Sequence, residues 1–232
     1  MKDLILSVSG NWGHFKKPET NNNPLTHDFI TKTALIGLIG AVLGKDRDVM
    51  KPLFPQLSED LLYGVKVVNP VKKESWGFTM RKAVNLFEKA PKYMELLKNP
   101  GFEVAVCLKN DRSKKEFIEF TRFVVESRAM FTPVLGLHNC PAILSFKANG
   151  EFTDKKSGAF KTKGFVSTRH TLNLDETRTF RIGFEKIPTF QNDDFWNLPE
   201  KYVEVVYPSE HREISVTGDY YQHSDGEAWW LV

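Results

Sequence analysis

The sequence has few of the residues that build metal sites and disulfide frameworks. Of its 232 residues, only Cys107 and Cys140 are cysteines and only six are histidines. Two cysteines without C-x-x-C spacing form neither a zinc site nor a disulfide framework. The sequence also contains no H-x-E motif, no H-E-x-x-H motif and no aspartate cluster. We therefore predict a protein without a metal or another cofactor, whose thiols suit a reducing compartment.

Long hydrophobic runs are also missing. The apolar run from Ala34 to Leu43 is far shorter than the roughly 20 residues of a membrane-spanning helix. Met1-Lys2-Asp3 leads directly into a strand pattern, without the small-residue cleavage site of a signal peptide. With 41% hydrophobic and 26% charged residues, the composition is typical of a globular domain. We expect a cytoplasmic protein that has no membrane partner.

Charge is distributed unevenly along the chain. Up to Lys186 there are 30 lysines and arginines against 20 aspartates and glutamates, a balance of +10. From Ile187 onward the counts are 2 and 9, a balance of −7. The first part suits a polyanionic partner such as nucleic acid. The acidic remainder is expected to face away from phosphates or toward a basic protein surface.

One early stretch, residues 9–44, combines backbone freedom, positive charge and aromatic surface. After a strand pattern comes a long polar loop, whose candidate nucleic-acid contacts are Trp12, His14, Phe15, Lys16, Lys17 and Asn21. Basic groups interleaved with aromatic rings suit a polyanion that carries stackable bases, which is a nucleic acid. An ordinary surface loop with two aromatic residues in the core explains the same pattern equally well.

The second half of this stretch is typical of the start of a helix. Either Thr31 or Thr33 can cap the apolar run that follows, and Lys32 stands between them. A helix N-terminus exposes unpaired amide donors, and a neighbouring lysine adds positive charge. The three residues therefore predict a binding site for an anion such as phosphate.

Three glycines lie at helical spacing within and just after this run. Gly37, Gly40 and Gly44 are three and four residues apart and so share one face of a helix. Each costs about 1 kcal/mol relative to alanine inside a helix, which favours a compensating role. We expect this face to pack closely on a sheet or on the backbone of a ligand.

The order of these elements resembles the CRISPR-associated RAMP subunit that holds the 5′ handle of crRNA in type I Cascade complexes. This is the fifth numbered family of those proteins, and the type I-B branch is the most similar. Residues 18–21 match the family's P-x-T-N element, and residues 33–38 match its T-x-x-G-L helix. Residues 133–136 with 140–142 resemble its P-x-L-G turn, and residues 218–221 with 226–230 resemble its carboxy-terminal signature. The match is poorest between about residues 70 and 100.

Strand and helix patterns predict an α+β fold that agrees with this resemblance. Strand patterns at residues 3–9, 61–68, 102–109 and 142–147, with helices at 34–43 and 113–128, give the order β-α-β-β-α-β. This is the ferredoxin-like unit of RAMP proteins and RRMs, although the RNP aromatic signature of RRMs is missing. We interpret the segment from Asp46 to Asp60 as a connector, because Pro52 and Pro55 interrupt it.

We predict two parts of the chain. Residues 1–149 form the ferredoxin-like RAMP domain, and residues 150–232 form a smaller β-rich subdomain. Family members insert a projecting thumb near residues 69–100, where cations bracket two aromatic residues around a turn. The candidate RNA contacts there are Lys72, Lys73, Trp76, Phe78, Arg81 and Lys82. An amphipathic surface excursion explains this segment without a partner.

The resemblance implies a crRNA-binding subunit of Cascade, with the crRNA 5′ handle, backbone and large subunits, and target DNA through the complex as partners. The handle would lie between the first loop, the first helix and the P-x-L-G turn, where His138 is a further candidate contact. A metal-independent endoribonuclease, as in the type I-C branch, is the alternative. That branch cuts with a tyrosine, a lysine and a histidine. Here Tyr63 is the nearest tyrosine by position, but no adjacent lysine–histidine pair occurs at the expected later position. A protein-binding subunit without RNA is the third hypothesis.

Overall fold

A computed structural model describes residues 1–81, 89–173, 180–194, 198–209 and 211–232 of the chain. These residues form mostly antiparallel sheets and a few helices. The helices are α1 Lys32–Val42, α2 Arg47–Asp60 and α3 Lys114–Val125. The strands are β1 Lys2–Ser9, β2 Trp12–Gly13, β3 Leu61–Val67, β4 Lys73–Arg81, β5 Lys89–Lys98, β6 Gly101–Leu108, β7 Ile143–Glu151, β8 Lys156–Thr162, β9 Val166–Ser167, β10 Thr171–Leu172, β11 Ile182–Phe190, β12 Lys201–Pro208, β13 Ile214–Gln222 and β14 Ala228–Trp229.

The central sheet has four antiparallel strands in the order β3-β6-β1-β7. Strand β1 alternates between two buried faces, as its apolar sequence predicts. Leu4, Leu6 and Val8 pack with the three helices, whereas Ile5 packs with Trp229 on the opposite face. Helices therefore cover one face of the sheet, and the carboxy-terminal segment covers the other.

The predicted connector at residues 46–60 is wrong, because α2 occupies it. Asp46 caps this helix, its carboxylate accepting a hydrogen bond from the Val49 amide at 3.0 Å. Pro52 and Pro55 lie inside the helix and remove two of its backbone donors. Met50, Phe54 and Leu57 are buried on one side. The cap and this buried apolar side outweigh the cost of the prolines, which the proline rule alone does not anticipate.

The three glycines of α1 do not form one closely packed face. A Cβ at Gly40 would lie 2.7 Å from the sulfur of Met50, so Gly40 packs closely, but on helix α2 rather than on a sheet or a ligand. Around Gly37 nothing lies within 4 Å. Gly44 follows the helix with φ +68°, and the amides of Gly44 and Lys45 bond to the carbonyls of Ala41 and Gly40. Gly44 thus ends the helix in a left-handed turn that suits glycine.

The second half of the chain is rich in strands, as predicted. Strands β8, β10, β13 and β14 form one sheet and β9, β11 and β12 form another, around buried residues such as Phe160 and Val216. Strand β7 runs through the predicted boundary at residue 149. Tyr63 on β3 also exchanges two backbone hydrogen bonds with Val232. The carboxy-terminal segment therefore joins the central sheet.

Strands β4 and β5 pair along their whole length, from Lys73 opposite Leu97 to Arg81 opposite Lys89. We call residues 73–81 and 89–98 the arm. Strand β2 continues this sheet by pairing with the base of β5. No helix in the described part of the chain is both long and apolar enough to cross a membrane.

Candidate nucleic-acid interface

A cavity of about 540 Å³ lies at the meeting point of the three segments that the sequence predicted to form a groove. The first loop contributes His14, Phe15 and Lys16, the start of α1 contributes Thr31 and Thr33, and the P-x-L-G turn contributes Gly136 and Leu137. These segments are far apart in sequence, and the fold brings them together. The wall is mostly apolar, with a small number of polar groups, which is the usual character of a ligand pocket.

The first loop is held in place by its own side chains. The Phe15 amide donates to the Thr26 hydroxyl at 2.9 Å, and the Phe15 side chain is buried. Thr20, in the P-x-T-N element, donates to the Lys17 carbonyl at 2.8 Å and accepts from the Leu25 amide at 3.0 Å. Thr20 therefore closes the loop, which gives this motif residue a structural role.

His14 is almost completely buried in the cavity wall and is fixed on several sides. Its Nδ1 lies 2.7 Å from the carbonyl oxygen of Glu95 on β5. Its amide donates to the Leu135 carbonyl at 2.9 Å. A Cβ at Gly136, where φ is +86°, would lie 1.9 Å from the His14 carbonyl oxygen. Gly136 is therefore required for the turn to approach the loop so closely.

Burial lowers the pKa of His14 below its usual 6.5, and the charges of Lys16 and His27 lower it further. The contacts with Glu95 act in the opposite direction and do not offset the loss of hydration. The ring is therefore neutral at pH 7. A neutral imidazole with one nitrogen held by a carbonyl keeps a single hydrogen-bond acceptor.

At the start of α1, Thr31 is the cap: its hydroxyl accepts from the Ala34 amide at 3.2 Å. The Thr33 hydroxyl lies 3.1 Å from that of Thr31 and lines the cavity. Lys32 is buried and is not part of the lining. Burial lowers the pKa of Lys32 to about 8, helped by the nearby charges of Lys109 and Lys201. The predicted phosphate contact of Lys32 is therefore not supported by its position.

A buried ionic network ties the first loop to the carboxy-terminal part. Glu185 on β11 lies 3.0 Å from Lys17 Nζ, and its second oxygen lies 2.9 Å from His27 Nδ1. It also accepts from the Asp28 amide at 3.1 Å. Burial alone would raise the pKa of Glu185, but the bonds and charges of His27 and Lys17 lower it to about 2. Lys17 thus has a carboxylate partner, and its contact with a phosphate stays a prediction.

The same network continues into the arm through Lys73. Its ammonium lies 2.6 Å from Asp28, 3.4 Å from Glu95, and 2.9 Å from the Thr26 carbonyl. Burial would lower the pKa of Lys73, but the bond and charge of Asp28, with Glu95 and Glu185, raise it. Tyr207 donates a hydrogen bond to Asp28 from β12. Lys73 therefore fixes the base of the arm rather than facing a phosphate.

On the arm, the predicted aromatic contacts are exposed. Trp76 and Phe78 keep 45% and 41% of their surface accessible, and Met80, two residues further on, keeps 53%. Alternate residues of a strand point to one face, so these three form an apolar strip. Trp12 packs edge-on against Trp76, with ring centroids 4.7 Å apart. Large apolar side chains exposed in this way mark an interaction surface.

Three of the remaining predicted residues, Lys72, His138 and Asn21, do not line the cavity. Lys72 is exposed beside the base of the arm, and His138 is exposed next to the lining residue Leu137. Asn21 is exposed and accepts a hydrogen bond from Lys16 at 3.0 Å. Lys82 and the side chain of Arg81 lie outside the described residues.

Sequence reasoning missed the part of the wall that comes from the second half of the chain. Pro188, Gln191 and Pro199 line the cavity, so part of the acidic segment contributes to the predicted groove. Phe54 of α2 and Met94 of the arm complete the apolar lining. None of these five lining residues belongs to a sequence motif. A long-range contact such as that of Glu185 with the first loop also leaves no local signal in the sequence.

Comparison with known proteins gives the family. The profile of a family described as "CRISPR-associated protein (Cas_Cas5)" matches residues 3–193, which is most of the chain. No protein of curated function matches the sequence.

Solved structures share the fold at low sequence identity. The chain is similar to a crystal structure of a CRISPR protein from Archaeoglobus fulgidus, with 15% identity and a TM-score of 0.61, over 100% of this chain and 99% of that one. A chain of a CRISPR RNA-guided surveillance complex has 14% identity and a TM-score of 0.51, with 89% and 90% covered. A chain of the type III-B Cmr-beta complex bound to cognate target RNA has 7% identity and a TM-score of 0.50, with 92% and 86% covered.

Proposed function

The chain belongs to the Cas5 family of CRISPR-associated proteins, and we propose that it is the crRNA-binding subunit of a type I, I-B-like Cascade surveillance complex. In this role it caps the 5′ handle of crRNA in the cytoplasm and contacts backbone and large subunits, with target DNA bound through the complex. The observation that carries the proposal is the cavity, because three separate family segments converge on it.

The chemistry of the cavity suits a nucleotide of the handle. Apolar and aromatic side chains offer surface for a base or a sugar, and the His14 ring and the Thr33 hydroxyl supply polar contacts. The exposed Lys16 stands at its edge and is available to a phosphate. Guide pairing reads the target in such complexes, so this subunit needs only to recognise the shape and backbone of the handle.

We propose that the four-stranded sheet with α1 and α3 is a ferredoxin-like unit. Its strand order β3-β6-β1-β7 corresponds to 2-3-1-4 when the four strands are numbered along the chain. The helix α1 lies between the first and second of these strands, and α3 lies between the third and fourth. The arm is then an insertion between the second and third strands, and we propose that it is the thumb that contacts a neighbouring subunit.

The test is retention of a labelled repeat-derived RNA by the purified protein, without metal ions. Thr33→Tyr places a large side chain at the cavity wall, and Ile118→Tyr places the same one at an exposed position of α3, a helix that contributes no residue to the lining. We expect the first change to weaken RNA binding at least tenfold and the second to leave it unchanged. Equal binding by both variants would exclude the cavity as the RNA site. Purification from the native host then tests whether crRNA and Cascade subunits accompany the protein.

A metal-independent endoribonuclease is the second candidate. The observation in its favour is the neutral His14 ring in the cavity wall, since a neutral imidazole near a ribose hydroxyl is suited to act as a general base. Tyr63 offers it no support: it is fully buried, and burial raises its pKa well above the usual value. Cutting of the labelled RNA in the same assay, rather than retention, would favour this activity.

A further inference from the structure

We infer that His14 makes the cavity selective for ribose: its Nε2 accepts a hydrogen bond from the 2′-hydroxyl of a bound nucleotide. The inference rests on the proposed function, because it supposes that a nucleotide of the handle occupies the cavity. It assigns to one atom the discrimination of RNA from DNA at one position of the bound strand.

The first step is the tautomer of the ring. Nδ1 lies 2.7 Å from the Glu95 carbonyl oxygen, which can only accept a hydrogen bond. Nδ1 must therefore carry the ring proton. In a neutral imidazole the other nitrogen then holds a lone pair, so Nε2 is an acceptor. Burial, which lowers the pKa of His14, keeps the ring in this neutral form at physiological pH.

The second step is the position of that acceptor. The ring lines the cavity, and Nε2 makes no hydrogen bond within the described part of the chain. Only about 3% of the residue is exposed. Nε2 is not among the fully buried side-chain atoms without a partner, so water reaches it, and a ligand that displaces this water without donating to Nε2 loses a hydrogen bond.

The third step is rigidity. The Leu135 carbonyl holds the His14 amide, and Gly136 packs against the His14 carbonyl. Glu95, which orients the ring, is itself held by the Thr26 amide at 3.0 Å and by Lys73. The ring is therefore fixed before any ligand arrives, and little conformational entropy is lost when Nε2 is used.

The fourth step is the chemistry of the donor. A phosphodiester has no hydrogen to donate, so it does not satisfy Nε2. Every base carries an N–H donor, but the position of this donor differs from one base to another. The 2′-hydroxyl is a donor on every ribonucleotide and is missing from DNA. A subunit that binds one kind of nucleic acid with little dependence on sequence therefore gains most by reading the 2′-hydroxyl.

The experiment measures binding of repeat-derived RNAs that each carry one 2′-deoxy substitution. For the intact chain, one position should weaken binding about 2- to 12-fold, the range of a single net hydrogen bond. His14→Asn keeps a donor near the Glu95 carbonyl and removes the Nε2 acceptor. We expect this variant to bind the all-ribose RNA as weakly as the unchanged chain binds the RNA that lacks the sensitive 2′-hydroxyl. Removal of that hydroxyl should not weaken binding by the variant any further. His211→Asn, the same change at a histidine outside the cavity lining whose φ of +56° suits asparagine, should behave as the unchanged chain.

Two outcomes would overturn the inference while leaving the proposed function intact. In one, His14→Asn binds RNA with an unchanged 2′-deoxy profile. In the other, binding depends on base identity at the contacted position and not on the 2′-hydroxyl. If the unchanged chain retains no RNA, the proposed function itself fails. Should His14→Asn not fold, the ¹⁵N resonance of His14 Nε2 in the unchanged chain decides: it must shift with all-ribose RNA and not with the RNA deoxygenated at the sensitive position.

Discussion

The cavity wall and the arm carry the same kinds of side chain, but the fold places them in opposite environments. At the wall, His14 and Phe15 are buried, and Lys17 is paired with a buried carboxylate. On the arm, Trp76 and Phe78 are exposed. Aromatic and basic composition therefore does not define one kind of interface. Here the first set lines a pocket, and the second stays exposed.

The difference comes from where the charges of each region find partners. Glu185 reaches into the wall from β11 and pairs with Lys17 and His27. The ion pair between Lys98 and Glu74 at the base of the arm is about two-fifths exposed and is screened by solvent. We therefore expect substitutions in the wall to affect stability strongly, and substitutions on the arm to affect assembly.

The largest effect is expected from a pair of glycine substitutions. Gly136→Val forces a side chain against the His14 carbonyl and places a β-branched residue at a positive φ. The steric clash and the backbone strain together should lower the free energy of unfolding by about 5 kcal/mol. Gly77→Val adds a side chain on the arm, where a Cβ meets only the Tyr93 ring at 3.3 Å, and should cost less than about 1 kcal/mol. Chemical denaturation measures both. A similar loss at the two glycines would contradict the contrast between wall and arm.

The next effect concerns two carboxylates. Glu185→Ala leaves His27 and Lys17 without their buried partner and should cost about 3–5 kcal/mol. Glu74→Ala, which removes the exposed partner of Lys98, should cost about 0–1 kcal/mol. Denaturant titration of the two variants provides the comparison. If Glu185→Ala were as stable as Glu74→Ala, the network would not be what holds the wall.

The pH dependence of stability follows from the same groups. The pKa of Glu185 falls from 4.5 to about 2 on folding, so its contribution is present above pH 4.5 and is lost as the pH falls toward 2. The pKa of His14 is also lowered, from 6.5, so the fold binds fewer protons than the unfolded chain just below pH 6.5. Stability should therefore decrease in two steps on acidification. We expect His14→Asn to reduce the upper step, measured by thermal denaturation at a series of pH values. The rest of this step comes from His211, because burial also lowers its pKa from 6.5.

On the arm, Trp76→Ala with Phe78→Ala should change stability by about 1–2 kcal/mol, mostly through the lost contact of Trp76 with Trp12. Incorporation into the assembled complex should weaken, whereas binding of a free handle RNA should change little. Co-purification with the other subunits and a filter-binding assay measure the two quantities. A double variant that unfolds much earlier than the unchanged chain would show that the two rings belong to the core.

The sequence predicted the elements that depend on local patterns. The strands and helices of the central sheet were expected at the right places, because their apolar periodicity is strong. Helix α2 was missed because Pro52 and Pro55 are read as helix breakers, whereas the burial of Phe54 and Leu57 is a tertiary effect. The three segments that meet at the cavity were predicted from their motifs.

The partners of the candidate site could not be predicted in the same way. Lys17 and Lys73 look like free cations in the sequence, and only the fold pairs them with Glu185 and Asp28. The burial of Lys32 has the same origin, since it depends on what packs over the start of α1. Motifs locate a site, but long-range contacts decide which of its charges remain available.

The smallest expected effect is a change in the salt dependence of RNA binding, which distinguishes available lysines from paired or buried ones. Of the three lysines in the first loop and at the start of α1, only Lys16 is exposed, since Lys17 is paired and Lys32 is buried. Each phosphate neutralised on a single strand contributes about 0.7 to the slope of log K against log salt concentration. Lys16→Ala should therefore lower the slope by about 0.7. Lys32→Ala should leave the slope unchanged, since a buried ammonium outside the cavity lining contacts no phosphate there. An equal loss of slope in both variants would mean that Lys32 reaches the RNA, and the wall would then contribute charge as well as shape.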